Sequence, residues 1–177
     1  MVPLLPWIER QWSFTAPVGT FPAVLERLVG TSARAAALVA GVPDIALAKR
    51  SNGKWSVKEH FGHLSDLHAL DMQRVDEFLA GADVLSAADM TNRRTDEGNH
   101  GATPIAHLLQ ALHEQRQRLM LRLENLTAAE IGATAVHPRL GVKVRLIDWA
   151  QFVADHDDHH LAAARKVLRG VTAVTAT

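Results

Sequence analysis

The residues able to do chemistry are concentrated near the C-terminus. There His156, His159 and His160 alternate with Asp155, Asp157 and Asp158 inside an otherwise apolar helical pattern running from Asp148 to Arg165. At about 100° per residue, with Trp149 set at zero, Phe152, Val153, His156, His160, Ala163, Ala164 and Val167 fall within about 60° of one direction. His156 and His160 therefore bracket the centre of the buried face, whereas His159 lies about 80° off it and Asp158 points the opposite way. Two imidazoles on an apolar face each need a partner for the ring nitrogens they bury, and a shared cation satisfies both and accounts for the spacing. A divalent ion such as zinc takes about four ligands at about 2.0 to 2.2 Å from nitrogen or oxygen donors. One helix supplies two of them, and another must supply the third.

The elements that would position these ligands can be read in chain order. Phe21 to Ala40 carries Val24, Leu25, Leu28, Val29, Ala35, Leu38 and Val39 at helical spacing and is closed by Gly41 and Pro43. Ser51-Asn-Gly-Lys54 is a turn by composition. Ser56 and Glu59 form a capping box that opens a second helix, which runs through Val57, Phe61, Leu64, Leu67, Val75 and Phe78 to Gly81. It offers three candidates for the third ligand, His60, His63 and His68. Periodicity does not select among them, since His60 and His68 fall nearer the centre of the apolar face and His63 sits at its edge. From Ala82 to Ala102 the composition turns polar and loses periodicity, which marks a functional loop or a crossover between distant helices and places Asn92 and His100 in it. Thr103-Pro104 reads as N-cap and first helical position of a third helix bearing Ile105, Leu108, Leu112, Leu119, Leu123 and Leu126. Thr127 and Glu130 form a second capping box, and His137-Pro-Arg-Leu-Gly-Val-Lys-Val-Arg145 is a connector able to include a brief hairpin. The last helix ends at Gly170. Four long amphipathic helices predict an all-α four-helix bundle with a long crossover connection between helices 2 and 3. It is read as a single domain over 1–177, with its core at about 20–170 and a frayed tail at 171–177.

Composition narrows the function classes. Nineteen basic and nineteen acidic residues cancel, which removes the global field that nucleic acid or an anionic bilayer would require. The opening Met-Val-Pro-Leu-Leu-Pro-Trp-Ile has neither a basic lead nor an uninterrupted apolar run, so neither a secretion signal nor a membrane span is expected and the expected location is cytoplasmic. Cysteine is absent, which excludes thiolate ligands and a thiol nucleophile and leaves ten histidines as the metal chemistry.

Trp55-Ser-Val-Lys-Glu-His-Phe-Gly-His-Leu-Ser-Asp66, together with His156-Asp-Asp-His-His160, resembles the DinB-like superfamily of metal-binding four-helix bundles, and the resemblance extends to the His-Pro-Arg-Leu-Gly connector. It implies that the histidine eight after the tryptophan joins the last-helix pair, giving a three-histidine site of His63, His156 and His160. Three protein ligands leave coordination positions for water or substrate, the arrangement of a catalytic site. The resemblance further implies a small-molecule substrate and a metal-dependent enzyme of thiol S-transferase or hydrolase type, the sulfur arriving as a low-molecular-weight thiol. The alternative is a non-catalytic, stress-related binding or scaffold protein whose metal is structural or incidental. All-nitrogen sites admit zinc, nickel, iron or copper. A homodimer is expected through leucine-bearing helix faces. Asp155, Asp157 and Asp158 are candidates for orienting the ligating imidazoles. Arg116, on the leucine face of the third helix, either projects toward the site as an anion contact or extends to solvent. Trp55 and Trp149 are read as packing aromatics, and His60, His68, His107, His113 and His137 as ordinary core or surface histidines.

Overall fold

The structure is a computed structural model that describes residues 2–50 and 53–174, with side chains as far as Gly170. Helix α1 (Phe21–Val39) carries Pro22 in its first turn, where a missing N–H costs nothing, and the chain reverses at Gly41 with a φ of +74°. A single turn, α2 (Asp44–Leu47), follows. Of the turn expected at 51–54, Ser51 and Asn52 lie outside the described residues, and Gly53 takes a φ of +70°.

Helix α3 (Val57–Asp66) opens on the capping box at Ser56, whose hydroxyl accepts from the Glu59 N–H while the Glu59 carboxylate accepts from the Ser56 N–H at 2.8 Å. The second helix does not run unbroken to Gly81. It is interrupted at Leu67, whose N–H reaches the His63 carbonyl at a long 3.3 Å, and it resumes as α4 (His68–Leu79). Helix α5 (Arg93–Glu97) lies within the polar stretch. Helix α6 (Ile105–Leu123) stops three residues short of Leu126, and Pro104 rather than Thr103 takes its cap position. Proline has no side-chain acceptor, and the Asp44 carboxylate caps the Ile105 N–H from α2 at 2.9 Å, a tertiary contact that local pattern does not encode. The capping box at Thr127 and Glu130 opens α7 (Ala128–Ile131). The hairpin is present as β1 (Thr134–His137) paired antiparallel with β2 (Val142–Arg145), His137 opposite Val142.

The last helix, α8 (Leu146–Val174), passes through Gly170 instead of ending there, because one glycine costs a helix only about 1 kcal/mol and cannot by itself stop a long one. Helix therefore replaces the expected fraying over 171–174, and residues 175–177 of that tail lie outside the described residues.

The bundle is not a simple up-and-down one. Arg27 reaches Asp155, Thr31 reaches Asp157 and Arg34 reaches Asp158, so α1 and α8 run side by side in the same direction. Lys58 meets the Gly101 carbonyl at one end and Asp76 meets Arg122 at the other, so α3–α4 and α6 are also parallel neighbours. Two parallel helices of this length, about 28 Å for α6 at about 1.5 Å per residue, can be joined only by a connection that returns along the bundle. The polar stretch from 82 to 102 is that crossover.

Buried apolar residues form two separate clusters. One gathers Phe78, Leu119, Trp149 and Val153 with the first half of α1, and the other gathers Phe61, Leu64, Leu112 and Leu161 with its end. On α8 the first cluster ends at Ala154 and the second begins at Leu161. Residues 155–160 therefore cross the bundle in a polar layer between two cores.

Candidate metal centre

The polar layer is built around an ion pair that is wholly buried. Asp157 is 0% exposed and accepts from Arg116 Nε at 2.9 Å, Arg116 Nη2 at 2.6 Å and the Thr31 hydroxyl at 2.8 Å. Arg116 thus turns inward rather than extending to solvent. Asp155 accepts from Arg27 at 2.5 Å, and Asp158 accepts from Arg27 at 2.6 Å and from Arg34. These three aspartates tie α8 to α1 and α6. They do not orient imidazoles, because successive positions on a helix diverge by about 100° and the aspartates face other helices than the histidines do.

On the opposite side of α8, His156 and His160 face α3. One ring nitrogen from each of His63, His156 and His160 lies within 4.8 Å of the other two. His156 Nε2 and His160 Nε2 are 3.1 Å apart. Two nitrogens bound tetrahedrally to one zinc at about 2.05 Å stand about 3.3 Å apart, so this spacing fits a shared cation as well as it fits an N–H···N hydrogen bond.

Hydrogen bonding fixes which nitrogen of His63 is free. The Thr95 hydroxyl donates to Asp66 Oδ2 at 2.9 Å and so must accept from His63 Nδ1 at 3.0 Å, which leaves the lone pair on Nε2. Asp66 also pairs with His100 Nε2 at 2.9 Å. Burial would raise the Asp66 carboxyl, but the hydrogen bonds from His100 and Thr95 outweigh it and hold the group below its ordinary value. The ring of His100 reaches Asp66 by crossing α3 at Gly62, where a Cβ would sit 2.2 Å from the imidazole. Only glycine allows that approach. On the other ligand helix, His160 Nδ1 meets His60 Nδ1 at 3.0 Å, so His160 can give its N–H to His60 and keep its Nε2 lone pair.

The electrostatics suit ligation. Burial lowers His63 to about 4 and pushes His156 and His160 well below the ordinary imidazole value, neighbouring histidines adding to the effect for the last two. All three rings are neutral at pH 7, the form that binds a metal.

The histidines stand in the wall of a cavity of about 480 Å³. Trp7 and Ile8 of the N-terminal arm and Ala87 to Met90 of the crossover flank it, and Trp55 lies on its wall with its ring centroid 4.8 Å from that of His63. Trp55 is therefore part of the site's lining, whereas Trp149 is the core aromatic expected, packed on Phe78. His159, Asn92 and Arg116 also line the cavity, and His100 stands behind His63. His137 is only 3% exposed and lines the cavity as well.

Sequence reasoning missed Thr95, Asp66 and His60 as partners of the ligand rings. Thr95 sits in an aperiodic loop and Asp66 one turn beyond His63, and neither position carries a signal without the tertiary fold. His60 was legible as a residue on the apolar face, but not as one aimed at His160.

A family model described as the DinB superfamily matches residues 12–164 of the chain. No curated protein gave a match. Among solved structures, the chain is similar to YfiT from Bacillus subtilis, described as a probable metal-dependent hydrolase with an unusual four-helix bundle topology. The TM-score is 0.75 at 19% identity, over 91% of this chain and 93% of that one. Among the described residues no helix is long and apolar enough to cross a membrane.

Proposed function

The chain belongs to the DinB superfamily, and on that footing we propose that it is a divalent-metal-dependent enzyme acting on a small molecule, of hydrolase or thiol S-transferase type. The observation that carries the reading is the convergence of one nitrogen each from His63, His156 and His160 in the wall of the 480 Å³ cavity. Three neutral nitrogen ligands suit zinc, nickel or iron and leave at least one position open toward the cavity. A divalent ion there would lower the pKa of a coordinated water or thiol and polarise a carbonyl. Leu67, Leu70, Met90, Phe152 and Val153 of the cavity lining give that position an apolar surround.

Asp71 supplies what the sequence did not reveal, a group able to move a proton. Its carboxylate lines the cavity, has no hydrogen-bond partner among the described residues, and is pushed up to about 6 by burial against the pull of Arg116 at 3.7 Å. A carboxyl poised there can take and release a proton near neutral pH. The absence of cysteine suits a scheme in which a low-molecular-weight thiol enters as cosubstrate. Leu121, 66% exposed on α6, is a candidate contact residue of the proposed homodimer.

The test is a screen of ester and amide hydrolysis and of thiol transfer to electrophiles, run on zinc-, nickel- and iron-loaded protein beside chelated protein and His63→Ala. Activity that requires metal and is lost in His63→Ala supports the reading. If no activity is found while the three histidine variants lose melting temperature together, the metal is structural and the protein a scaffold.

A further inference from the structure

We propose that the cavity wall formed by α4, α6 and the β1–β2 turn is a carboxylate subsite, so that the substrate is an amphipathic small molecule with one acid group and an apolar body. This rests on the reading of the cavity as the substrate site and names the class of molecule it takes.

The argument starts from charge. Arg74, Arg116 and Arg139 all line the cavity. Arg116 is neutralised by Asp157, which lies behind it. Arg74, 5% exposed, directs Nε and Nη2 onto the Ser86 carbonyl at 2.9 and 2.7 Å, a neutral acceptor. Arg139 has no carboxylate within ion-pair distance among the described residues, and its guanidinium stands 5.5 Å above the Phe152 ring. The acids at hand serve Arg116 and Arg74, through Asp157, Asp71 and Glu77, and leave Arg139 without a carboxylate. Asp89 is exposed and is occupied by Thr91 and the Arg93 N–H. Asp71, shared between Arg116 and Arg74, is pushed up to about 6 by burial and so stays largely ionised at pH 7. Burial lowers both Arg74 and Arg139, and for Arg139 no carboxylate opposes the effect.

Unsatisfied donors point the same way. Arg116 Nη1, Arg139 Nη2 and His137 Nε2 are buried without a hydrogen-bond partner. The Leu140 N–H goes to the His137 carbonyl at 3.2 Å and only secondarily to His137 Nδ1 at 3.4 Å, so the two arginine nitrogens are the donors whose protons are fixed. Two unpaired guanidinium donors on residues of one wall, each costing about 1–3 kcal/mol when buried, call for an acceptor. The guanidinium of Arg139, which has no carboxylate partner, decides that the acceptor is an anion, and the planar fork of arginine matches a carboxylate. Beyond the arginines, the histidines, Asp71, Asp89 and Asn92 the lining is apolar, and the volume is that of a site for one small molecule. The ligand's acid is held at the arginine wall, and its reactive end is left to the histidines.

The experiment is calorimetric titration of tag-free protein with a panel of arylalkyl carboxylates, such as 4-phenylbutyrate, and their primary amides. It is done on chelated and on zinc-loaded protein, with Arg139→Gln and Arg139→Lys, turn substitutions whose folding is checked by circular dichroism. The expected result is that carboxylates bind chelated wild-type protein at least about tenfold more tightly than the amides. Arg139→Gln should remove most of that difference without altering amide binding, and Arg139→Lys should restore part of it. Equal affinities for acid and amide, an unchanged carboxylate affinity in Arg139→Gln, or carboxylate binding only to zinc-loaded protein would overturn the proposal. Carboxylate binding that persists in a protein unable to hold metal would instead overturn the enzyme reading and leave this one standing.

Discussion

Replacing Asp157 by Ala probes the polar layer that places His156 and His160. The side chain is wholly buried and accepts three hydrogen bonds, two from Arg116 and one from Thr31. Its removal leaves a guanidinium that is 1% exposed facing Asp71 at 3.7 Å, and burial already holds that carboxyl near 6. Breaking a buried pair by deleting one partner costs about 3–5 kcal/mol, while the Thr31 hydroxyl keeps the Arg27 carbonyl at 3.1 Å as an acceptor. At about 2–4 °C per kcal/mol for a chain of this size, the melting temperature should fall by about 10 °C or more. Urea denaturation followed by circular dichroism, on chelated protein so that metal linkage does not contribute, measures the loss directly. The double variant Arg116→Met with Asp157→Leu removes both charges and should recover most of it. If Asp157→Ala cost less than about 1 kcal/mol at unchanged m-value, the layer would not be the dry ion-paired interior described here.

Gly62→Ala should drive the His100 ring off Asp66 and loosen the support of His63, lowering metal affinity by about 10- to 100-fold, readable by chelator competition. Thr95→Val should do the same while leaving His100 in place, and wild-type affinity in both variants would show that the Thr95–Asp66 pair does not orient His63. Asp71→Asn should abolish any activity found, yet stabilise the fold at pH 8. A carboxyl raised to about 6 has stability present below the unfolded value near 3.8 that is lost as pH rises through about 6, a difference of up to about 3 kcal/mol. The gain should shrink at pH 5, and an equal gain at both values would contradict the assignment. His63 has the opposite sign. Its ring is depressed to about 4, so its contribution is full above the unfolded value of about 6.5 and is lost as pH falls through 4. Chelated protein should therefore lose stability steadily between pH 6.5 and 4 in denaturant titrations, by up to about 3 kcal/mol from this group, and His63→Phe should flatten that slope.

Much of the scaffold was legible because it is written locally. The capping boxes at Ser56 and Thr127 are satisfied within four residues, and the heptad-like leucines of α6 and the apolar stripe of α8 carry their own period. What was hidden belongs to tertiary contacts. Asp44 caps α6 from 61 residues away, and the aspartates of α8 pair with arginines on α1 and α6 rather than with the neighbouring rings. The site divides the same way. The facing of His156 and His160 toward one side follows from helical period, but the choice of His63 over His60 came from resemblance. Period placed His60 nearer the face centre, and the structure puts it against His160, not in the trio. Of the cationic wall only Arg116 was legible, as a candidate anion contact, since Arg74, Arg116 and Arg139 lie on three elements that meet only in the folded chain.

The central claim is that three imidazoles from α3 and α8 hold one divalent cation. Its most direct measurement is a zinc titration of tag-free protein against a chromophoric chelator, repeated on His63→Ala, His156→Ala, His160→Ala and His159→Ala. One equivalent bound tightly by wild type and by His159→Ala, with at least about a hundredfold loss in each of the other three, is the expected result. Wild-type affinity retained in His63→Ala, or no stoichiometric binding at all, would contradict it.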